Sequence, residues 1–356
     1  MRDIHQFATS LTYGDAISDE MLEIRSVLRE KGHRSEIFTR FVDPKMSSLS
    51  RDYREYKKFS STGNVVIFHF SIGSPVSKLV LRIPDKKIMI YHNITPHEFF
   101  VDSHRILARE CYKGRLEIKL FVGKTDLALG DSEFNRRELE ASGYSRTGVL
   151  PILMNFSKFN VAGQPITRKI FDNGKKTLLF IGRVIPNKKF EDCIKVFHFY
   201  QKYFNPDSQL ILAGDYRGME RYHAGLRALI DELRTDDIHL TGHLPFEDLL
   251  ATYEVADLYL SMSEHEGFGV PLLEAFQRKI PVVAYDAAAV GETMNGGGIL
   301  IKKKNFFQTA AVIDAVLRDE NLRRTVIASQ FKALEKYRRE NVSRVLMNHI
   351  ERVALG

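Results

Sequence analysis

Long hydrophobic runs are missing from this chain of 356 residues. No apolar stretch approaches the roughly 20 residues that cross a bilayer as a helix. The first residues, MRDIHQFATSL, hold neither the apolar segment nor the cleavage site of a secretory leader. We therefore expect a cytoplasmic protein. Cysteine is scarce too: Cys111 and Cys193 stand alone and far apart. They make no metal-ligand spacing, and a reducing compartment disfavours a disulfide. Each reads as a small buried side chain. Asp-x-Asp, His-Glu-x-x-His and Cys-x-x-Cys are all absent, so no metal is expected. Gly-x-Gly-x-x-Gly is absent as well, which argues against a dinucleotide-dependent oxidoreductase. The glycines at 296–298 precede a strand and read as a turn.

What is present suits two globular domains of roughly 150–200 residues each. The net charge is +7, and residues 1–165 carry 25 Lys and Arg against 20 Asp and Glu. A mildly basic surface favours anionic partners such as nucleotides, phospholipid head groups or nucleic acid, or serves solubility alone. No nucleic-acid-binding signature accompanies the charge, so no nucleic-acid partner is expected.

Short β-branched runs alternate with amphipathic stretches. The runs are VVIFHF (65–70), KIMIYHNI (87–94), TLLFIG (177–182), QLILAG (209–214), DIHLTG (237–242), DLYLSMS (257–263) and PVVAYD (281–286). Between them lie helical spacings. Ser18 is expected to cap one, with Met21, Ile24, Val27 and Leu28 on one face and Lys31-Gly32 at its end. Strand and helix at this rhythm mean parallel sheets covered on both faces. The pattern occurs twice. We expect an α/β protein with residues 1–160 and 161–340 as two doubly wound Rossmann-like domains around a cleft, hinged near 153–176. VLPILMN (149–155) reads as the last strand of the first half. Residues 341–356 read as a closing helix returning towards the N-terminal domain, with Val342, Val345, Leu346, His349, Ile350 and Val353 on one stripe.

The most informative stretch is SEHEGFGVPLLEAF (263–276). Ser263 and Glu266 have the spacing of a capping box, but Gly267, Gly269 and Pro271 would break a helix begun there. Pro271 instead suits the first turn of a helix. Glu266 then lies in a glycine loop before that helix, and Glu274 about one turn inside it. A helix N-terminus behind a glycine loop favours phosphate. Carboxylates on either side can each accept from a sugar hydroxyl. A diphosphate with a sugar at each end fits, which is the build of a nucleotide-sugar. IGRVIPNKK (181–189) supplies cations after another strand: Arg183 can fork onto phosphate oxygens, and Lys188 adds a point charge.

GRVIPNKK and SEHEGFGVPLLEA resemble the donor-site signatures of the retaining GT-B glycosyltransferases of family GT4. Further segments are similar: GDAISDEMLEIRSVLREKGH (14–33), YHNITPHEFF (91–100), GDSEFNRRELEASGY (130–144), AGDY (213–216) and TGHLPFEDLLATYEVADLYLSMS (241–263). The resemblance implies the GT-B architecture. It also implies roles. Arg183 and Lys188 hold the donor diphosphate, Glu274 takes the ribose hydroxyls, and Glu266 takes hydroxyls of the transferred sugar. The backbone of Gly267, Phe268, Gly269 and Val270 lines the sugar and phosphates. Leu244 falls where the base is read, and Gly14 and Asp15 in a loop approaching the diphosphate. His92 falls where a polar residue faces the donor sugar, with His69 and His97 as competitors. The family's first loop often carries a glycine pair, whereas this chain has Tyr13-Gly14-Asp15-Ala16.

The implied reaction moves a hexose, with GDP-mannose the preferred donor, to a hydroxyl of a glycan or lipid-linked acceptor in surface polysaccharide synthesis. Anomeric configuration is retained, and no cofactor or metal takes part. Charge developing on the diphosphate would meet Arg183, Lys188 and the helix N-terminus. A nucleotide-sugar epimerase and a non-catalytic anion-binding module are the rivals. Arg105, Arg109, Lys113, Arg115 and Lys119 suggest peripheral contact with a membrane, or a solvated helix face.

Overall fold

A computed structural model describes residues 3–355. The chain divides into two compact units. The first comprises residues up to His97, Ile106–Asn155 and the residues from Lys336 onward; the second comprises Glu98–Arg105 and Phe156–Glu335.

The first unit is built on seven parallel strands: β1 (Ile4–Leu11), β2 (Ile37–Val42), β3 (Arg51–Asp52), β4 (Val65–Phe70), β5 (Lys86–Tyr91), β6 (Leu127–Gly130) and β7 (Thr147–Val149). Their order is β3-β2-β1-β4-β5-β6-β7. The second unit holds β8 (Lys176–Ile181), β9 (Ser208–Ala213), β10 (Ile238–Gly242), β11 (Leu258–Ser261), β12 (Val282–Tyr285) and β13 (Ile299–Ile301), in the order β10-β9-β8-β11-β12-β13. Both sheets are doubly wound, so the chain has the α/β, Rossmann-like character expected. The strands read as near-continuous apolar runs because helices cover both faces; all six residues of β4 are buried. In each sheet the order reverses once, between β1 and β4 and between β8 and β11. Those are the points where open α/β sheets bind ligands, beyond the carboxyl ends of the strands.

Three local expectations change. The first helix runs Ala16–Glu30, and its N-cap is Asp15 rather than Ser18. The Asp15 carboxylate accepts from the Ser18 N–H at 3.0 Å and from its hydroxyl at 2.9 Å. An anion at that end also meets the positive end of the helix dipole, which a serine hydroxyl does less well. Strand pairing in VLPILMN stops at Val149, and Pro151 has no N–H with which to extend the ladder. β1 was not among the apolar runs because His5 and Gln6 interrupt it, yet both are fully buried.

The last helix, Arg339–Leu355, lies in the core of the first unit. Val342, Leu346, Ile350 and Val353 pack in one cluster with Ile4, Ile24, Val65 and Ile88. Each such burial contributes about 2 kcal/mol. Lys86 donates to the Val353 carbonyl at 2.9 Å, placing a cation on the negative end of that helix.

Candidate functional site

In the second unit β8 and β11 are neighbours, with Leu258 opposite Leu178 and Tyr259 opposite Leu179. The loops leaving their carboxyl ends therefore start side by side. The β8 loop carries Arg183 and Lys188; the β11 loop carries SEHEGFG. Asn187 ties the two together: its buried side-chain amide donates to the His265 carbonyl at 3.0 Å, and its backbone carbonyl accepts from the Glu264 N–H at 2.8 Å. A second tie is ionic. Lys304 reaches Glu264 at 2.8 Å and Asp192 at 2.5 Å.

The glutamate loop ends at Gly269, whose φ of +96° only glycine adopts without strain. The helix Val270–Gln277 follows, with Pro271 in its first turn and no side-chain cap. Its N-terminal end is the positive pole expected from the sequence. Phe268 is buried, and its carbonyl accepts from the Thr293 hydroxyl at 2.6 Å, which fixes the loop. A further close approach pins the rim: a Cβ on Gly214 would stand 1.8 Å from the Gly182 carbonyl oxygen.

Lys188 and Glu266 meet here. The ammonium lies 2.6 and 2.5 Å from the two carboxylate oxygens. Arg183 is exposed and has no carboxylate partner among the described residues. Glu274 is buried and accepts from the Tyr253 hydroxyl at 2.6 Å. Burial first, and then the Glu274 charge, push the Tyr253 phenol well above its ordinary range, so Tyr253 is a standing donor to that carboxylate. Leu244 lies apart, in the loop between β10 and the helix Phe246–Val255, where β10 is an edge strand two removed from β8.

Gly14, Asp15 and His92 belong to the first unit. Gly14 has φ +76° and is exposed beside the Asp15 cap. His92 follows β5 directly, but its imidazole is turned inward and almost fully buried. Both ring nitrogens are engaged, and the partners fix their protons. The Gln6 amide nitrogen donates to the Met21 carbonyl at 2.9 Å, so its oxygen faces His69 at 3.0 Å and accepts from Nε2. His69 Nδ1 is then bare and accepts from His92 Nε2 at 2.9 Å. His92 Nδ1 lies 3.0 Å from Asp131 Oδ2 and donates to it. With Asp131 ionised, both His92 nitrogens donate and the ring is an imidazolium. Burial alone would lower its pKa, but Asp131 and then Glu20 outweigh burial and raise it to about 9. His69 is pushed well down by burial and by the His92 charge. Glu20, whose Oε2 lies 3.7 Å from His92 Nδ1, is raised by burial to about 8. Burial raises Asp131 as well, against the pull of His92.

A His92 that touches a donor sugar is therefore not what this geometry offers: neither ring nitrogen is exposed. Ligand atoms of Glu20, His69 and His92 lie within 4.8 Å of one another, but the lone pair that His69 would give a metal already accepts the His92 proton. His97, the other competitor, packs edge-on against Tyr112 at 5.1 Å. Gln6, Glu20 and Asp131 were not singled out from sequence, nor were Asn187 and Tyr253. Glu20, Asp131, Asn187 and Tyr253 all lie inside the quoted segments, and position next to a strand end is the signal that could have found Asn187 and Asp131.

The family described as "Glycosyl transferases group 1" matches residues 166–332, which span the site in the second unit. Among curated proteins the chain is similar to O-antigen chain mannosyltransferase B of Escherichia coli, 28% identical over 171 residues. That alignment covers 48% of this chain and 44% of the relative, so the chain spans under half of that protein's length. Among solved structures it is similar to a glycosyltransferase from Rickettsia africae ESF-5, with TM-score 0.74 and 16% identity over 99% of this chain and 98% of that one. It is also similar to Anabaena HepE in complex with UDP-glucose, with TM-score 0.73 and 15% identity over 99% and 100% of the two chains. At these identities the two structures speak to the GT-B fold alone. Residues 166–332, a little under half of the chain, are thus similar to the glycosyl transferases group 1 family.

Proposed function

We propose that this protein transfers a hexose from a nucleoside-diphosphate sugar to a hydroxyl of a glycan or lipid-linked acceptor. One observation carries the reading: Lys188 after β8 meets Glu266, in the loop that leads to the uncapped helix Val270–Gln277 after β11, at the reversal of strand order, with Arg183 in the same β8 loop. The diphosphate sits against the two cations and the helix N-terminus. Glu274, oriented by Tyr253, takes the ribose diol, and Glu266 takes hydroxyls of the sugar. As the glycosidic bond breaks, charge grows on the departing diphosphate, where Arg183, Lys188 and the helix end are already placed. These cations make a divalent metal unnecessary. The departing phosphate accepts the acceptor proton and configuration is retained. Leu244 borders the base. His92 contributes as a buried cation in this reading, not as a contact to the sugar.

Mannose from GDP-mannose is our choice of donor. The similarity in sequence to a mannosyltransferase favours it, whereas the UDP-glucose neighbour is similar in fold only. The test is a thermal-shift panel of GDP, UDP, ADP and their hexose conjugates, with and without EDTA. At ~100 times its dissociation constant a ligand adds about 2.7 kcal/mol. We expect a shift with GDP compounds that is indifferent to EDTA and lost in Arg183→Ala and Glu274→Ala. A shift abolished by EDTA, or none with any nucleotide, overturns the reading.

A further inference from the structure

The stretch RILARECYKGRLEIKLFVGK, residues 105–124, holds six Lys and Arg against two Glu. It forms the helix Arg105–Glu117 and the tight turn Ile118–Phe121. One face is seated in the first unit: Ala108, Cys111, Gly114, Ile118 and Phe121 are buried. Gly114 sets the depth, since a Cβ there would stand 2.8 Å from Ile94.

The opposite face is unusual. Ile106 is 65% exposed, Tyr112 49%, Leu116 49% and Leu120 54%. Ile106, Arg109, Lys113 and Leu116 follow one another at spacings of three and four on the helix, so they share a stripe, and Leu120 is exposed in the turn that continues it. Large apolar side chains and cations alternate along it, with Lys119 and Lys124 exposed beside its end. Acidic side chains do little to offset the charge. Glu110 is shared between Arg109 at 3.2 Å and Lys113 at 3.6 Å, and Glu117 turns towards the Ser74 N–H at 3.4 Å. Arg115 is not part of the face, because it donates to the Ile94 carbonyl at 2.6 Å and pairs with Glu138.

We propose that this face lies on an anionic lipid surface, its aliphatic and tyrosine side chains entering the head-group boundary and its cations meeting lipid phosphates. Interleaved cations and apolar groups on a helix lying flat are what such a boundary accepts. A protein partner fits less well, since lysine is depleted where protein interfaces are fully buried. A second copy docked face to face would set like charges against each other. The proposal stands apart from the donor chemistry of the second unit.

The chain has no tryptophan, so Leu120→Trp gives a single reporter in the full-length protein. The probes are vesicles of phosphatidylcholine alone and of phosphatidylcholine with phosphatidylglycerol. We expect co-sedimentation and a blue shift of emission with the anionic vesicles only, weakening as salt is raised. Arg109→Gln and Lys113→Gln should each weaken partition about fivefold, and Leu116→Ser should weaken it further. All three should melt like the parent and keep its nucleotide response, so failure of the donor reading and failure of this one are separable. Equal binding to both vesicle types, no binding to either, or self-association that Leu116→Ser abolishes would overturn the proposal.

Discussion

Glu266→Gln puts the donor site to its sharpest test. Lys188 and Glu266 are 18% and 11% exposed, and the ammonium is within 2.6 Å of both carboxylate oxygens. A diphosphate arriving at Lys188 must share it with that carboxylate and also faces the carboxylate's charge. The amide keeps the shape and one acceptor but removes the charge. Hydrogen bonds to charged groups contribute about 1.5–3 kcal/mol net. Losing roughly half of that competition makes nucleoside diphosphate binding tighter by about 1.4 kcal/mol, or about tenfold. The nucleotide-sugar gains less, because its sugar hydroxyls meet a weaker acceptor. Transfer should fall even as nucleotide affinity rises. Calorimetric titration with GDP and with GDP-mannose measures both sides. The variant should also melt a few degrees lower, as expected for a loss of about 1 kcal/mol. Weaker GDP binding in Glu266→Gln, with the fold intact, refutes the view that this pair competes with the diphosphate.

Three further outcomes follow from the same geometry. In the first unit the folded chain holds His92 at about 9 and Glu20 at about 8, both above their ordinary values. Above about pH 6.5, where His69 no longer takes up a proton in the unfolded chain, the folded state holds the His92 and Glu20 protons that the unfolded one has lost, and their contribution to stability falls as pH rises towards 9. Glu20→Gln should flatten that slope in urea melts across the range, and an unchanged slope counts against the buried relay. Gly214→Ala drives a Cβ into the Gly182 carbonyl; we expect a loss of about 3 kcal/mol and of the nucleotide response, measured by melting with and without GDP. Tyr253→Phe removes the hydroxyl that orients Glu274. GDP affinity should drop about tenfold by calorimetry, and unaltered binding would mean that Glu274 needs no such support.

How much could be read in advance depended on whether the determinant was local. Gly267, Gly269 and Pro271 fix a loop and a helix start within a few residues of one another, so the placement of Glu266 and Glu274 was legible. The β8 loop was legible for the same reason: a strand, a glycine and a basic run. The relay around His92 was not. Gln6, Glu20, His69 and Asp131 come from the interior of β1, the ends of two other strands and a helix, and nothing in any one segment announces the others. The polar residues of β1 hid a central strand, because burial of His5 and Gln6 is decided by partners far along the chain. Arg115 was grouped with its basic neighbours by spacing, yet Glu138 draws it inward. Propensity likewise favoured Ser18 as a cap, while the charge of Asp15 decided the matter.

The place of Arg339–Leu355 has a bearing on how the chain comes to be folded. Its residues complete the hydrophobic core around β1, β4 and β5, yet they are synthesised only after all the strands of the second unit. Strands β8 to β13 lie in one uninterrupted run, residues 176–301. The second sheet can therefore close during synthesis, while the first waits with one apolar side uncovered. During that interval the nascent N-terminal half is the segment most in need of chaperone protection. The final helix meets β4 and β5, with Lys86 and Val353 separated by 267 residues, and closing so long a loop makes this the slow step of folding.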